Sequence, residues 1–161
     1  MSKKAVFLDR DGIINQKRND YVKSLDEFQI NEKIFDVIRE IKKKDYLVII
    51  VTNQSAINRK LLTINILNDI HDFFKEMLKR YNLFVDGIYF CPHTPNDNCD
   101  CRKPKPGMLL QAARELDVDL ENSWIIGDSQ TDIDAGNVVG CKGILITDEE
   151  KILEIVKEKI Y

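Results

Sequence analysis

The stretch Ala5-Val6-Phe7-Leu8-Asp9-Arg10-Asp11-Gly12 decides how the rest of the chain is read. Four consecutive apolar residues run directly into two acids and a glycine. A strand that is apolar at every position is covered on both faces, as happens in parallel sheets flanked by helices. Two acids set two residues apart at the end of such a strand are hard to explain by folding alone. Close like charges repel, and one pKa rises unless a cation lies between them. The plain alternative is an N-cap followed by a glycine turn.

Working outward, comparable apolar runs occupy residues 46–51, 87–90, 124–126 and 143–146. Helical spacing separates them. Ile34, Val37, Ile38 and Ile41 recur at i, i+3, i+4 and i+7, as do Ile66, Ile70, Phe73, Phe74 and Met77 behind Thr63 as N-cap. Pro106 is placed to open a helix carrying Leu109, Ala112, Ala113 and Leu116. A short helix over residues 131–139 closes at Gly140, and the last carries Ile152, Ile155 and Val156. Strands alternating with helices predict an α/β fold, a Rossmann-like three-layer sandwich with a central parallel sheet and right-handed crossovers. Residues 1–161 read as a single domain. The segment between Gly12 and Thr52 holds one loop, one helix and one strand, so no cap domain is inserted there.

Composition bounds the function. An apolar share of 43% with 32% charged residues is that of an ordinary globular domain. A net charge of -3 argues against a nucleic-acid partner, because phosphate backbones reward basic surfaces. The apolar runs are too short to cross a bilayer, so no membrane partner is expected. The opening MSKKAVFLD lacks the apolar stretch and cleavage site of a signal peptide, which places the chain in the cytoplasm, and a monomer is expected.

In parallel α/β sheets ligands bind beyond the carboxyl ends of the strands. The unusual polar residues fall there: Asp9 and Asp11 after the first strand, Thr52 and Asn53 after the second, Cys91 and His93 after the third, and Asp128 after the fourth. Within Gly127-Asp128-Ser129-Gln130-Thr131-Asp132, Asp128 is the candidate for a further magnesium ligand, since that ion takes carboxylates, water and phosphate oxygens. Asp132 either reaches the same site or caps the following helix. Thr52-Asn53-Gln54 offers a hydroxyl and N–H groups to phosphate oxygens, or is simply a polar turn. Arg102-Lys103-Pro104-Lys105 brings cations that could stabilise a phosphoryl group in flight, or forms a solvated basic loop.

Three of the four cysteines cluster. Cys91-Pro92-His93, a five-residue spacer and Cys99-Asp100-Cys101 supply three thiolates and an imidazole, the complement of a tetrahedral structural zinc. With four protein donors no position is left for a catalytic water, so this zinc-binding loop, residues 91–101, would serve to order Arg102 and Lys103. Cys141 reads as a small buried apolar residue, and His71 as a surface or packing residue.

Residues 7–12, 51–55, 101–107 and 126–132 together resemble the four ordered motifs of phosphatases of the haloacid dehalogenase (HAD) superfamily, and the resemblance spans nearly the whole chain. It implies that Asp9 attacks phosphorus and forms an aspartyl-phosphate. Asp11 then protonates the leaving oxygen and later activates water. Mg2+ would be bound by Asp9, Asp128 and the main-chain carbonyl of Asp11. Thr52 would hold the transferring phosphoryl group and Lys103 neutralise it, with Lys105 as the weaker candidate. The zinc loop resembles a narrower subfamily, the D-glycero-D-manno-heptose 1,7-bisphosphate 7-phosphatases and the histidinol-phosphate phosphatases. Asp20-Tyr21-Val22, Phe28 and the Arg-Lys-Pro-Lys-Pro-Gly-Met run favour the heptose branch, while the short His93–Cys99 spacer, the residues at 16–20 and Ser129 point the other way. The substrate would be a small phosphorylated metabolite. Its contacts would come from Arg10, Lys17, Arg18, Asn53, Gln54, Ser55 and Arg102, with Lys17, Arg18 and Arg102 suited to a second phosphate or, for the first two, merely solvated.

Two readings from other classes compete. A phospho-receiver module also gathers acids at strand ends, but it keeps its acceptor on the third strand, where this chain has Asp86 at the start and Cys91-Pro92 at the end. A zinc-knuckle binding module would leave the acidic motifs without a purpose.

Overall fold

The computed structural model describes all 161 residues. Five strands, β1 (Ala5–Leu8), β2 (Leu47–Asn53), β3 (Gly87–Cys91), β4 (Trp124–Gly127) and β5 (Lys142–Leu145), form one sheet in the order β3-β2-β1-β4-β5, and every pair is parallel. Each connection carries a helix: α1 (Lys33–Lys43), α2 (Ile64–Arg80), α3 (Gly107–Leu116) and α4 (Gln130–Val138), with α5 (Ile152–Lys159) following β5.

Side-chain alternation along the strands sorts these helices onto two faces. Val6, Leu8, Val48 and Ile50 point to one side and pack with Ile34, Ile38 and Ile41 of α1, Ile70, Phe74 and Leu78 of α2, and Ile152 and Val156 of α5. Ala5, Phe7, Ile49 and Val51 point to the other and pack with Met108, Leu109 and Ala112 of α3 and Ala135 of α4. The expected three-layer sandwich with a central parallel sheet is therefore what forms. The chain steps from β1 to β3 on one side and then jumps back to β4 on the other. That reversal leaves a crevice at the carboxyl ends of β1 and β4, where ligands bind in open α/β sheets.

Differences from the predicted elements lie at their ends. β2 continues past Val51 because Thr52 and Asn53 pair with Phe90 and Cys91. β5 sits one residue earlier than expected, since Lys142 pairs with Trp124 and lays its ammonium over that ring. α4 begins at Gln130 because Ser129 and Asp132 form a reciprocal capping box. Thr63 caps α2 as expected, accepting from the Ile66 N–H. At the amino end of the sheet, Tyr46 takes the Lys4 ammonium over its ring and donates its hydroxyl to the Tyr161 carbonyl. No helix is long and apolar enough to cross a membrane.

Candidate active site and metal centres

A cleft of about 470 Å³ opens above the carboxyl ends of β1, β2 and β4, and of its 16 lining residues only two are hydrophobic. Its floor is charged. Asp9 leaves β1, and Asp128 follows β4. Carboxylate oxygens of Asp9, Asp128 and Asp132 all lie within 4.8 Å of one another. Glycine makes that approach possible. A Cβ on Gly12, whose φ is +94°, would stand 2.1 Å from Asp128 Oδ2, and a Cβ on Gly127 would stand 2.1 Å from Asp132 Oδ2.

Lys103 is buried within the cluster. Its ammonium donates to Asp9 Oδ1 at 2.9 Å, to Asp132 Oδ1 at 2.6 Å and to the Val51 carbonyl at 2.8 Å. All three ammonium protons are used, so its direction is fixed. Burial opposes its charge, but the two carboxylates raise its pKa. Burial pushes Asp9 up to about 7, with Lys103 opposing and Asp132 adding to the rise. A divalent cation at this point would return Asp9 to the carboxylate form. Two further observations fit such an ion. Asp128 Oδ1 is buried without a hydrogen-bond partner, and the Lys17 ammonium already stands 3.2 Å from Asp128 Oδ2. The donors are all oxygen, the set a hard cation such as magnesium takes.

Asp11 is held apart from this cluster. Its Oδ1 accepts from Arg10 Nη2 at 2.9 Å, from Arg10 Nε at 3.3 Å and from Asn15 Nδ2 at 2.8 Å, while Oδ2 accepts from Gln54 Nε2 at 2.9 Å. Burial raises its pKa, but the Arg10 guanidinium and these N–H donors outweigh burial and hold it below the ordinary carboxylate range. The carboxylates that meet are thus those of 9, 128 and 132, and Asp11 can add only its main chain to an ion at that point. Both readings of Asp132 are realised. Its Oδ2 accepts from the Ser129 N–H at 3.2 Å, and its Oδ1 faces Lys103.

Most expected substrate contacts line the cleft: Lys17, Arg18, Asn53, Gln54, Ser55 and Arg102. Asn53 also clamps Lys103, accepting from its N–H at 3.0 Å and donating to its carbonyl at 3.1 Å. Two of the expected residues do not line the cleft. Arg10 is only 1% exposed and points away from the cleft, because Asp11, His71 and the Phe28 ring take up its guanidinium. Thr52, at the carboxyl end of β2, is fully buried, and its hydroxyl accepts from Gln54 Nε2 at 2.9 Å. His71 packs on α2 as expected, yet it also contacts Arg10 Nη1 at 3.2 Å, a polar link its apolar neighbours in the sequence do not signal. Lys105 is exposed and donates to the Cys99 carbonyl, so of these two lysines only Lys103 reaches the carboxylates.

The second cluster runs from Cys91, the last residue of β3, into the loop that follows. Cys91 Sγ and Cys99 Sγ are 3.7 Å apart, and His93 Nδ1 stands 3.3 Å from Cys91 Sγ and 3.2 Å from Cys101 Sγ. A tetrahedron with zinc–sulfur arms of about 2.3 Å has edges of about 3.8 Å, so the donors are spaced as zinc requires. Burial raises the Cys99 thiol, but N–H groups led by that of Arg102 prevail and bring it down to about 7, favouring the thiolate a metal needs. Arg102 follows directly. It donates its N–H to Cys99 Sγ and Nη1 to the His93 carbonyl, so the loop that gathers sulfur also aims Arg102 and Lys103 at the cleft. Asp86, the residue a receiver module would need, lies at the amino end of β3, paired with Lys42 and accepting from the Val48 N–H.

A HAD-hydrolase-like family model matches residues 100–158. The D-glycero-beta-D-manno-heptose-1,7-bisphosphate 7-phosphatase of Helicobacter pylori (strain J99) is 45% identical over 134 residues, 83% of this chain and 76% of that protein. The D-glycero-alpha-D-manno-heptose-1,7-bisphosphate 7-phosphatase of Campylobacter jejuni is 38% identical over 151 residues, 94% of this chain and 86% of that one. The crystal structure of D,D-heptose 1,7-bisphosphate phosphatase from B. bronchiseptica, complexed with magnesium and phosphate, superposes with a TM-score of 0.85 at 39% identity, covering 94% of this chain and 86% of that one.

Sheet order, crevice and likenesses together define the class, a phosphate-ester hydrolase built on the HAD-like sheet. More narrowly, the chain belongs to the HAD-like heptose-bisphosphate phosphatases.

Proposed function

We propose that the chain removes the 7-phosphate of D-glycero-D-manno-heptose 1,7-bisphosphate, with Asp9 as nucleophile. The observation that carries this is the arrangement at the cleft floor, where Asp9 is bound by one fixed ammonium and faces a cluster of oxygen donors. A Mg2+ ion there, held by Asp9, Asp128 and the main-chain carbonyl of Asp11, would neutralise phosphate charge and keep Asp9 ionised. The chain's own residues do the rest. An Asp9 oxygen attacks phosphorus, the bond from phosphorus to the sugar oxygen breaks, and that oxygen takes its proton from Asp11. Asp11 then takes a proton from water as the water attacks the aspartyl-phosphate, freeing phosphate and restoring Asp9. Substrate-free Asp11 is held as an acceptor by Arg10. An incoming phosphate dianion opposes that pull and favours the protonated form.

Lys103 faces the equatorial oxygens of the phosphoryl group in flight. The Thr52 hydroxyl accepts from Gln54 and still has its own proton to give to a bound oxygen. Lys17, Arg18 and Arg102 at the rim suit the second phosphate, and Asn53, Gln54 and Ser55 the sugar. Zn2+ in the Cys91, His93, Cys99 and Cys101 cluster is structural. A single-domain monomer goes with this reading, and thiolates that must stay reduced support the cytoplasm.

Phosphate release with magnesium, measured side by side on the two anomers of the heptose bisphosphate, histidinol phosphate and simple sugar phosphates, tests the reading. We expect the heptose bisphosphate to give the highest kcat/KM, with the beta anomer ahead. Preference for histidinol phosphate would overturn the substrate and leave the chemistry standing.

A further inference from the structure

One buried ionisable group has no part in the chemistry above. His71 sits on α2, in a layer distinct from every motif that lines the cleft, and it is only 6% exposed. Its Nε2 faces Arg10 Nη1 at 3.2 Å. A guanidinium has donors only, so His71 must accept there and carry its own proton on Nδ1. Arg10 then turns its Nε and Nη2 edge to Asp11 Oδ1, at 3.3 and 2.9 Å, while Phe28 lies 5.5 Å below the guanidinium. Phe28 is itself braced edge-on by Phe73 and Phe74 of α2. Arg10 is therefore fixed on three sides, and through it so is one oxygen of Asp11.

We infer that His71 is a positioning residue for proton transfer: through Arg10 it sets the orientation of the Asp11 carboxyl against the leaving oxygen. The inference rests on Asp11 being the proton donor. The general acid matters for a poor alkoxide leaving group and little for a good phenolate one. Loss of orientation at Asp11 should therefore be visible as a dependence on the leaving group, which a loss of general structural integrity would not give. The ratio kcat/KM is the right measure, because it reports on events up to expulsion of the leaving group.

The experiment compares sugar bisphosphate with p-nitrophenyl phosphate in the magnesium-loaded protein for Asp11→Asn, His71→Leu and His71→Gln. Gln can place an oxygen near the position of Nε2. Asp11→Asn should lose far more on the sugar ester than on the nitrophenyl ester. His71→Leu should show the same split on a smaller scale, about tenfold on the sugar ester and under about twofold on the other, with His71→Gln restoring most of the loss. Should His71→Leu fail to fold, His71→Asn, whose amide stops short of Arg10, carries the same comparison. Equal losses on both esters, or none, would overturn the role of His71 provided Asp11→Asn gives its split. Absence of the split in Asp11→Asn would overturn the reading of Asp11, and the inference with it.

Discussion

Two donor clusters sit near the same end of the sheet and are built in opposite ways. The carboxylates of Asp9 and Asp128 leave the ends of neighbouring strands, where the backbone is fixed by the β1–β4 ladder. One of their oxygens is left without a partner and the cluster opens onto the cleft. The other cluster takes Cys91 from the end of β3 but its remaining three donors from the loop that follows, and all four turn towards one another. The first arrangement suits a hard cation that must share its coordination sphere with substrate. The second suits a soft cation whose sphere is already full and whose work is to order a loop. Arg102 and Lys103 join the two, so the closed cluster is in effect a mount for the charges of the open one.

The largest effects should follow from changes inside the open cluster. Asp9→Asn removes the proposed nucleophile and should lower phosphate release roughly a hundredfold or more, with the fold intact by circular dichroism. Unchanged turnover would falsify the role given to Asp9. Lys103→Ala should cost about a hundredfold in kcat. It also strands two buried carboxylates, so urea unfolding without magnesium should show a loss of about 3–5 kcal/mol, recovered in part when magnesium is added. A variant as stable as the parent would mean the lysine is not the partner that the 2.6 and 2.9 Å contacts describe.

Changes in the closed cluster should act at one remove. Cys101→Ser should release zinc, measured by elemental analysis, and lower kcat about tenfold as Arg102 and Lys103 loosen. X-ray absorption of the parent should show three sulfurs and one nitrogen, and an oxygen-rich shell would contradict the site. Magnesium affinity should change little in Cys101→Ser. A large fall there would erase the separation between the two clusters.

The smallest effect concerns His71. Burial, with Arg10 beside it, lowers its pKa to about 3. It is neutral when folded but takes up a proton near pH 6.5 when unfolded. Its contribution is therefore complete above about pH 6.5 and is lost as pH falls towards 3, by up to about 1.4 kcal/mol per pH unit. His71→Gln should flatten the stability profile over that window, and identical profiles would remove the buried-neutral assignment.

The fold was legible because its strands are short and mostly apolar, while its helices repeat at i, i+3 and i+4. Those periods are local. Element ends were less legible where a partner strand decided them, as for Thr52 and Asn53 against β3. Asp9 and Asp128 stood out because each follows an apolar run, and Lys103 because it lies in a basic run directly after the cysteine cluster. Arg10 was expected among the substrate contacts, but alternation at the end of β1 and the pull of Asp11 turn it inward. The packing of His71 was legible, but its contact with Arg10 was not, since that partner is 61 residues away in the chain.

Everything chemical in this molecule gathers at one end of its sheet. Both ends of the polypeptide come near Tyr46 at the other, through Lys4 and the Tyr161 carbonyl. A bead, a surface or a fused enzyme attached through either end would therefore sit behind the barrier of the sheet, with the mouth of the cleft facing away from it. Immobilisation through either end should leave diffusion of sugar phosphates into the mouth unhindered.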